Sequence, residues 1–485
     1  VNAAEPINDE ADVVVIGSGG AALAAAVTAA EAGKSVVMLE KMDIYGGNTN
    51  AGEGTLNAPD PERQEPMGIE DSPDFYYTQT FEGGDSAGDP ALVRILADNA
   101  LDAVHWMEDH GLIYEKEVFT AIGGLWQRGH AVEVERKGEQ GGSYYVSCLM
   151  DAAQATGNFT LYTDAKIEEL IVEGGAVVGV RGTRPSSGEA VEVRGKSVVL
   201  ATGGYSHNEK MLGQYAPWIL KNQDKFLFSY EVTDHDGNPA DTGDGQQMGM
   251  NVGGHLDVGP HAVMAHILQF GQEFFLQVNE HGERFTNEDL SMTNIAKVMQ
   301  NQPGSKVFQI IDSHWPEQYP MLEMVMENIR SYGDGEGFSA QADSLEELAS
   351  QLELSADATQ NLTAAVARYN ELCEKGVDED FGKAAEKMFP VVDPPFYAIT
   401  YDMLKHTSVE DVSCMRLLVT MGGLVTDDNA RVLNDDSEPI PGLFAVGNVQ
   451  GGRFVEDYPF TLSGASHAAA LTYGYLTGKY LAEQA

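Results

Sequence analysis

The stretch Asp12 to Lys41, DVVVIGSGGAALAAAVTAAEAGKSVVMLEK, limits the possible folds more than any other part of the chain. Val13 to Ile16 is a short β-branched run suited to a buried parallel strand. Gly17, Ser18, Gly19 and Gly20 follow at once; an alanine-rich helix is predicted from about Ala21 to Ala32, and Gly33 ends it. Val36 to Leu39 is a second apolar strand, closed by Glu40. This is a βαβ unit with the pattern G-x-G-x-x-A. Gly17 permits the tight turn, Gly19 lets a pyrophosphate approach the backbone, and Ala22 still allows close helix–strand packing. The helix N-terminus offers free N–H groups and a positive dipole end to phosphate. Glu40 stands where a carboxylate accepts ribose hydroxyls. Strand, glycines, helix, strand and acid in this order point to a bound dinucleotide rather than a plain glycine-rich turn.

With 485 residues the chain is too long for one simple core, and two or three domains are expected. No apolar run reaches the roughly 18 residues of a membrane helix, so no membrane span is expected. The formal net charge is −46, from 75 Asp and Glu against 29 Lys and Arg, which repels nucleic acid and anionic lipid. The charge reads first as a solubility feature; a saline habitat or docking to a basic electron-transfer protein are the alternatives. Cys148, Cys373 and Cys414 have no metal-like spacing and form no disulfide framework. The polar opening Asn2–Glu10 reads as a mature end left by an export signal, or as a shortened N-terminus.

Beyond Lys41, Gly46-Gly47-Asn48-Thr49 and Gly52-Glu53-Gly54 suggest backbone pressed against a ligand. Asp60 to Asp89 reads as acidic loop, and Pro90 to Gly111 as a helix. Gly123 to His130 carries Trp126, Gln127 and Arg128 in a glycine-rich loop that reads equally as a flexible connection or part of a site. Lys166–Val172 and Val177–Arg181 predict a hairpin, and Ser197–Ala201 a buried strand before Thr202-Gly203-Gly204. Thr242-Gly243-Asp244-Gly245 precedes a helical start at Gln246–Met250. From Gly254 to His406 the pattern changes. Strands are predicted at Phe274–Val278 and Val307–Ile311, and helices at Ser344–Leu354, Ala356–Cys373 and Asp380–Lys387. Strand character returns at Val419–Thr426 and Leu443–Val446, and a helix from about Ser466 to Ala482 ends the chain.

These pieces resemble the flavoprotein subunit of the fumarate reductase/succinate dehydrogenase family, in its soluble flavocytochrome-like branch, whose wider kin include urocanate reductase and ketosteroid dehydrogenases. The resemblance rests on Val13–Ala26, LEK (Leu39–Lys41), GGNT (Gly46–Thr49), LATGG (Leu200–Gly204) and TGDG (Thr242–Gly245). NEHGERFTNE (Asn279–Glu288), TMGG (Thr420–Gly423) and IPGLFAVGN (Ile440–Asn448) complete it. It implies an α/β fold: a discontinuous Rossmann-like FAD-binding domain (1–253 and 407–485) with an inserted α+β capping domain (254–406). FAD would run extended along Gly17, Ser18, Gly19, Gly20 and Ala21, with Glu40 and Lys41 at its ribose. Gly46, Gly47, Asn48, Thr49, Gly52, Gly54, Ala201, Thr202, Gly203, Asp244, Gly447 and Asn448 would face it. The last helix, entered through Leu462, Ser463 and Gly464, would aim its N-terminus at the flavin ring, with Ser466 and His467 acting mainly through backbone groups.

The substrate residues of fumarate reducers are not matched. Their arginine proton donor lies eight residues after the arginine of Gly-x-Arg-Phe; from Arg284 that place is Met292. Their histidine before Thr-Met-Gly-Gly is Val419 here, and a second substrate arginine falls at Thr461. A dicarboxylate needs cationic forks, so fumarate is not the expected substrate. The loop Gly451 to Phe460 is the candidate replacement: Tyr458 reads equally as an aromatic wedge or as the acid that protonates carbon, and Arg453 as an ion pair with Glu456 or Asp457 or as a substrate anchor. His261, His266, Arg416 and Met292 are further lining candidates, with a structural role favoured for the histidines.

The expected activity is FAD-dependent reduction of an activated C=C bond in an enoate, cinnamate-like or enone acceptor, by hydride transfer from flavin N5 and protonation by a side chain. A dehydrogenase running the reverse reaction and a flavin electron-transfer subunit are the alternatives. No C-x-x-C-H haem motif and no second nicotinamide-type glycine motif is present, so an external cytochrome or flavin carrier is the expected electron donor. An extracytoplasmic place in anaerobic respiration follows only by analogy.

Overall fold

The computed structural model describes residues 5–120, 126–136, 139–220, 227–228, 232–234, 236–267, 272–319, 338–402, 415–459, 462 and 464–484. β1 (Ile7–Ile16) is buried along its last four residues, as a β-branched strand with neighbours on both sides must be. It passes through the glycine turn into α1 (Gly20–Glu31), whose alanines allow near-complete burial, and returns as β2 (Val36–Leu39). The next segment holds β3 (Leu56–Asn57), α2 (Pro61–Gln64), α3 (Pro73–Gly83), α4 (Pro90–Asp109), β4 (Gly129–His130) and α5 (Gly141–Ala155). β5 (Phe159–Tyr162), the hairpin β6 (Lys166–Glu173) and β7 (Ala176–Thr183), and β8 (Ala190–Leu200) follow, then α6 (Glu209–Tyr215) and α7 (Asp244–Asn251).

One eight-stranded mixed sheet organises these elements. β5, β2, β1, β8 and the late strand Pro439–Ala445 run parallel in that spatial order. The register sets Ile16 beside both Leu39 and Leu200, Leu39 beside Tyr162, and Leu200 beside Ala445, so five strands end on one line. The hairpin pairs antiparallel with the first half of β8. This is the predicted Rossmann-like α/β fold, with the second strand and the hairpin where the sequence places them.

Contacts divide the chain into two compact units: Val1–Pro217, Tyr230–Met264 and Val419–Ala485 form the first, Trp218–Ser229 and Ala265–Leu418 the second. The sequence boundaries lie at 253/254 and 406/407. The segment beyond 254 belongs with the first unit because Gly254, Leu256 and His261 bridge to Asn434, Leu424 and Val455. The second unit is α+β: an antiparallel sheet of Leu276–Asn279, Lys306–Ile311, Phe396–Asp402 and Ala340–Ala342. It packs Leu276, Val278, Phe308 and Ile310 against Leu348, Leu362, Val366 and Tyr369 of the helices Leu345–Gln351 and Ala356–Lys375.

Three expectations need correction. Asp60–Asp89 is not loop: Asp60 and Ser72 accept backbone N–H groups as N-caps ahead of Pro61 and Pro73 and start α2 and α3. Asp380–Lys387 is not a helix but ends in a single 3-10 turn, Ala385–Lys387, because the Asp378 carboxylate accepts from the N–H groups of Asp380, Phe381 and Lys383. Val419–Thr426 is not one strand; Met415–Thr420 stops before Gly422 and Gly423, which press on the His261 ring and the Val449 carbonyl.

Asp378 also anchors the buried charges of the second unit. Arg284 donates to Asp378 and Glu288 at 2.8 Å each, and Lys383 Nζ lies 3.4 Å from Glu288 and donates to Tyr369 Oη. Removing one partner of such a cluster strands a desolvated cation. Asp378→Ala is expected to destabilise the chain by about 3 kcal/mol or more in urea unfolding; a loss under about 1 kcal/mol would mean the cluster contributes little.

Candidate functional site

The aligned strand ends create one crowded edge. Gly17 N donates to Leu39 O at 2.8 Å and Ala201 N to Ile16 O at 2.9 Å. Gly17 has φ +99°, and a Cβ there would stand 2.3 Å from Ala201 O, so only glycine serves. α1 opens on Gly19 with no side-chain cap and no acid in its first turn, and Gly20 N donates to Thr49 Oγ1 at 2.9 Å. Gly46, Gly203 and Gly447 also hold positive φ in the loops around this edge.

The side chains along the edge are partly engaged with each other. Ser18 Oγ donates to Glu40 Oε2 at 2.5 Å and receives Gly46 N at 2.9 Å, while Met42 N donates to Glu40 Oε1. Burial pushes the Glu40 carboxyl up, against the Ser18 hydrogen bond. Lys41 Nζ turns to Thr242 Oγ1 and Asp244 Oδ2, both at 2.8 Å. By contrast Asn48 Oδ1, Thr202 Oγ1, Gln246 Oε1 and His467 Nε2 are sealed from solvent and have no hydrogen-bond partner in the chain. Buried polar atoms are rarely left unpaired, and these four, two of them in the first turns of the helices Asp244–Asn251 and Ala465–Glu483, mark the seat of a polar ligand. An uncapped helix start, glycines that leave no room for a Cβ and these orphaned atoms fit an extended dinucleotide.

A second cluster holds the loop after Gly451 through Gly452 N and Val455. His261 is fully buried; its Nδ1 pairs with Tyr205 Oη at 2.6 Å, its Nε2 lies 3.1 Å from Asp257 Oδ1, and its ring stacks on Tyr215 at 4.4 Å. Asp257 accepts in turn from Gly423 N at 2.8 Å and Gly452 N at 3.0 Å. Both ring nitrogens of His261 are thus engaged, and the Tyr205–His261–Asp257 chain fastens the loop. Neither Tyr205 nor Asp257 was legible as a partner beforehand, although Tyr205 directly follows Gly203-Gly204. Arg453 is not ion-paired with Glu456 or Asp457: it donates to Gln450 Oε1 and to Gly447 O (2.9 Å) and lies over Tyr473, bracing the turn at Gly447 and Asn448, while its Nε is buried without a partner.

Tyr458 is buried, with its ring edge-on to Phe454 at 5.7 Å. Its Oη accepts from Ser466 N at 3.2 Å, in the first turn of the helix Ala465–Glu483. That helix starts at Gly464, φ +102°, where a Cβ would meet Thr55 O at 2.8 Å, and Leu462 is buried just before it. His467 Cε1 is the atom nearest a Cβ placed on Gly52, at 2.7 Å. Gly54 likewise abuts Gly141. Ser463, Thr461 and the side chains of Met292, His266 and Arg416 lie outside the described residues.

The edge, its glycines and its orphaned atoms define a dinucleotide-binding scaffold. The FAD binding domain family matches residues 12–458, and the chain belongs to it; FAD is its cofactor. NADH:fumarate oxidoreductase of Klebsiella pneumoniae is 31% identical over 484 residues, 98% of this chain and 48% of that protein. Urocanate reductase of Eggerthella lenta is 30% identical over 468 residues, 93% of this chain and 72% of that protein. The chain therefore spans about half the length of the first relative. A solved 3-ketosteroid-Δ4-(5α)-dehydrogenase from Rhodococcus jostii RHA1 has a TM-score of 0.77 at 24% identity, covering 99% of this chain and 98% of that one; it speaks to the fold alone. The relatives are FAD-dependent oxidoreductases acting on CH–CH bonds, as the resemblance implied.

Two expectations follow. Gly17→Ala is expected to lose bound FAD and about 2 kcal/mol or more of stability, checked by flavin absorbance and thermal unfolding. Burial pushes the His467 imidazole down to about 4, so the folded state holds it neutral while the unfolded chain takes up a proton below about 6.5. Its contribution is whole above pH 6.5 and lost as pH falls towards 4, about 2 kcal/mol after allowing for partial exposure. His467→Leu is expected to flatten the stability of the flavin-free chain across that pH range; an unchanged slope would assign the titration elsewhere.

Proposed function

We propose that this protein reduces the activated C=C bond of an enoate, cinnamate-like or enone acceptor, with Tyr458 as the acid that protonates carbon. The observation that carries this reading is the Ser466 N–H directed at Tyr458 Oη. A phenol that gives up its proton becomes an anion, and a backbone N–H at a helix N-terminus stabilises that anion directly and through the helix dipole. Bound FAD supplies the hydride. The chain's own part is to hold the acceptor, exclude water and deliver the proton.

The choice of acceptor is supported by where the cations are spent. Val419 is buried and apolar at the place of the fumarate reducers' histidine. Arg284 is committed to Glu288 and Asp378, and the two Nη atoms of Arg453 to Gly447 and Gln450, leaving only its Nε open. Among the described residues, neither of these arginines offers a dicarboxylate a two-pronged fork. An acceptor with one or no carboxylate and a large apolar body depends less on such forks.

The test is an anaerobic assay with dithionite-reduced methyl viologen against cinnamate, urocanate, cyclohex-2-enone and fumarate. Reduction of one of the first three, with fumarate inert, is expected. Fumarate turnover at ordinary enzyme rates would overturn the substrate reading, and dye reduction by a saturated compound would reverse the direction. Tyr458→Phe is expected to keep its FAD and slow acceptor reduction by roughly a hundredfold; unchanged turnover would remove Tyr458 from the chemistry.

A further inference from the structure

The segment from Gly452 to Tyr458 is held along its backbone by groups from outside it. Gly452 is held from two sides: its N–H donates to Asp257 Oδ2 at 3.0 Å, and its carbonyl accepts from Asp89 N at 2.7 Å. Val455 bridges to His261, and Glu456 N donates to Pro260 O at 3.1 Å. Tyr458 N donates to the Asp457 carboxylate at 3.0 Å, and the Tyr458 phenol receives the N–H of Ser466. The holding groups have little room to shift. Asp257 also accepts from Gly423 N, and a Cβ on Gly451 would stand 2.6 Å from its Oδ1. The His261 ring lies flat on Tyr215, pairs with Tyr205 Oη, and sits so tightly that a Cβ on Gly422 would fall 2.0 Å from its Cγ.

Inside this segment Glu456 has φ +69°, in the left-handed region that residues with a Cβ rarely enter. Its side chain is exposed, so no burial of its own favours the conformation. A glycine there would take the same φ freely. A strained residue of this kind keeps its shape only when its surroundings impose it. The surroundings here are Pro260 and His261 on one side and Tyr458, two residues on, at the other.

We propose that Asp257 and His261 hold the Glu456 turn in its left-handed form, and that the turn keeps the Tyr458 phenol on the Ser466 N–H while it gives up its proton. The inference rests on Tyr458 being the carbon acid. The phenol oxygen accepts the same N–H before and after the proton leaves, and only the phenolate needs it strongly. A turn that relaxed would carry that oxygen off the donor and remove the stabilisation from the transition state. Asp257 and His261 act through Tyr458; they are positioning residues.

The test compares Asp257→Asn, Glu456→Gly and the double variant as holoenzymes. The anaerobic dye assay uses whichever of cinnamate, urocanate or cyclohex-2-enone the wild type reduces fastest. Asparagine keeps the shape of Asp257 but turns an NH2 towards one of the two backbone N–H groups, so one hold is lost. Asp257→Asn is expected to keep its FAD, leave KM within about twofold and lower kcat about tenfold. Adding Glu456→Gly should restore most of that kcat, because a turn without strain stays in place unheld. In the Tyr458→Phe background Asp257→Asn should cost nothing further, since no phenol remains to be placed. Glu456→Gly alone should raise the thermal midpoint, a measurement that does not depend on Asp257→Asn folding. Asp257→Asn with wild-type kcat, or without FAD, would overturn the positioning role while leaving Tyr458 in place. So would a kcat loss that Glu456→Gly does not repair, a full further loss on top of Tyr458→Phe, or a Glu456→Gly midpoint no higher than wild type. A Tyr458→Phe that turns over normally, or a wild type that reduces none of the three, would overturn both readings.

Discussion

The parallel pairing of β1 with β2 on one side and β8 on the other is the constraint on which everything else depends. It brings Ile16, Leu39 and Leu200 level, and Ala445 is added to the same line through β8. The loops that follow these strands, at Gly17, Glu40, Ala201 and Gly447, are far apart in sequence but leave the sheet together. The chain departs from β1 in one direction to β2 and arrives beside it from the other as β8, which makes the gap between β1 and β8 the reversal point where ligands of open parallel sheets are received. Gly17 against Ala201 O leaves no room for a Cβ in that gap, so the fold and the cofactor seat share one steric condition.

Three buried arginines show how the protein handles charge away from water. Arg284 has two carboxylates, Arg453 has amide and peptide oxygens with its Nε left over, and Arg128 has a single carboxylate with its Nη1 left over. The first is a closed structural cluster. The second draws its loop onto the turn at Gly447 and is held by dipoles rather than by an anion, so burial pulls its guanidinium down. The second and third each leave one nitrogen unpaired, and an incomplete buried charge is expensive unless something else completes it.

Sequence and structure agree where the signal is local. The βαβ unit and the β6–β7 hairpin follow from a change of apolar period and from glycines placed at turns. They part where a side chain competes for backbone N–H groups. Asp378 captures three of them and turns Asp380–Lys387 away from the helix its composition suggests. Asp60-Pro61 and Ser72-Pro73 look like loop punctuation but are helix starts. The Tyr205–His261–Asp257 chain was beyond reach, since its first member stands 56 positions from His261 and nothing in either segment names the other. Arg128 was visible as an odd cation in a glycine-rich loop, but its partner Asp71, 57 positions away, was not.

The proposed acid and the proposed substrate class support each other through one electrostatic argument. An arginine acid must be desolvated with its positive charge, which is tolerable only beside an anionic substrate that shares the cost. A phenol is neutral until the moment of transfer, so it can wait in a dry pocket without a counter-ion. Its difficulty comes afterwards, when the phenolate must be stabilised and then reprotonated. The Ser466 N–H meets the first need, being fixed in place before the charge appears. The second cannot be met by the acceptor, which leaves as a saturated product. Solvent admitted as the product leaves can return the proton, so the phenol is neutral again before the next acceptor binds.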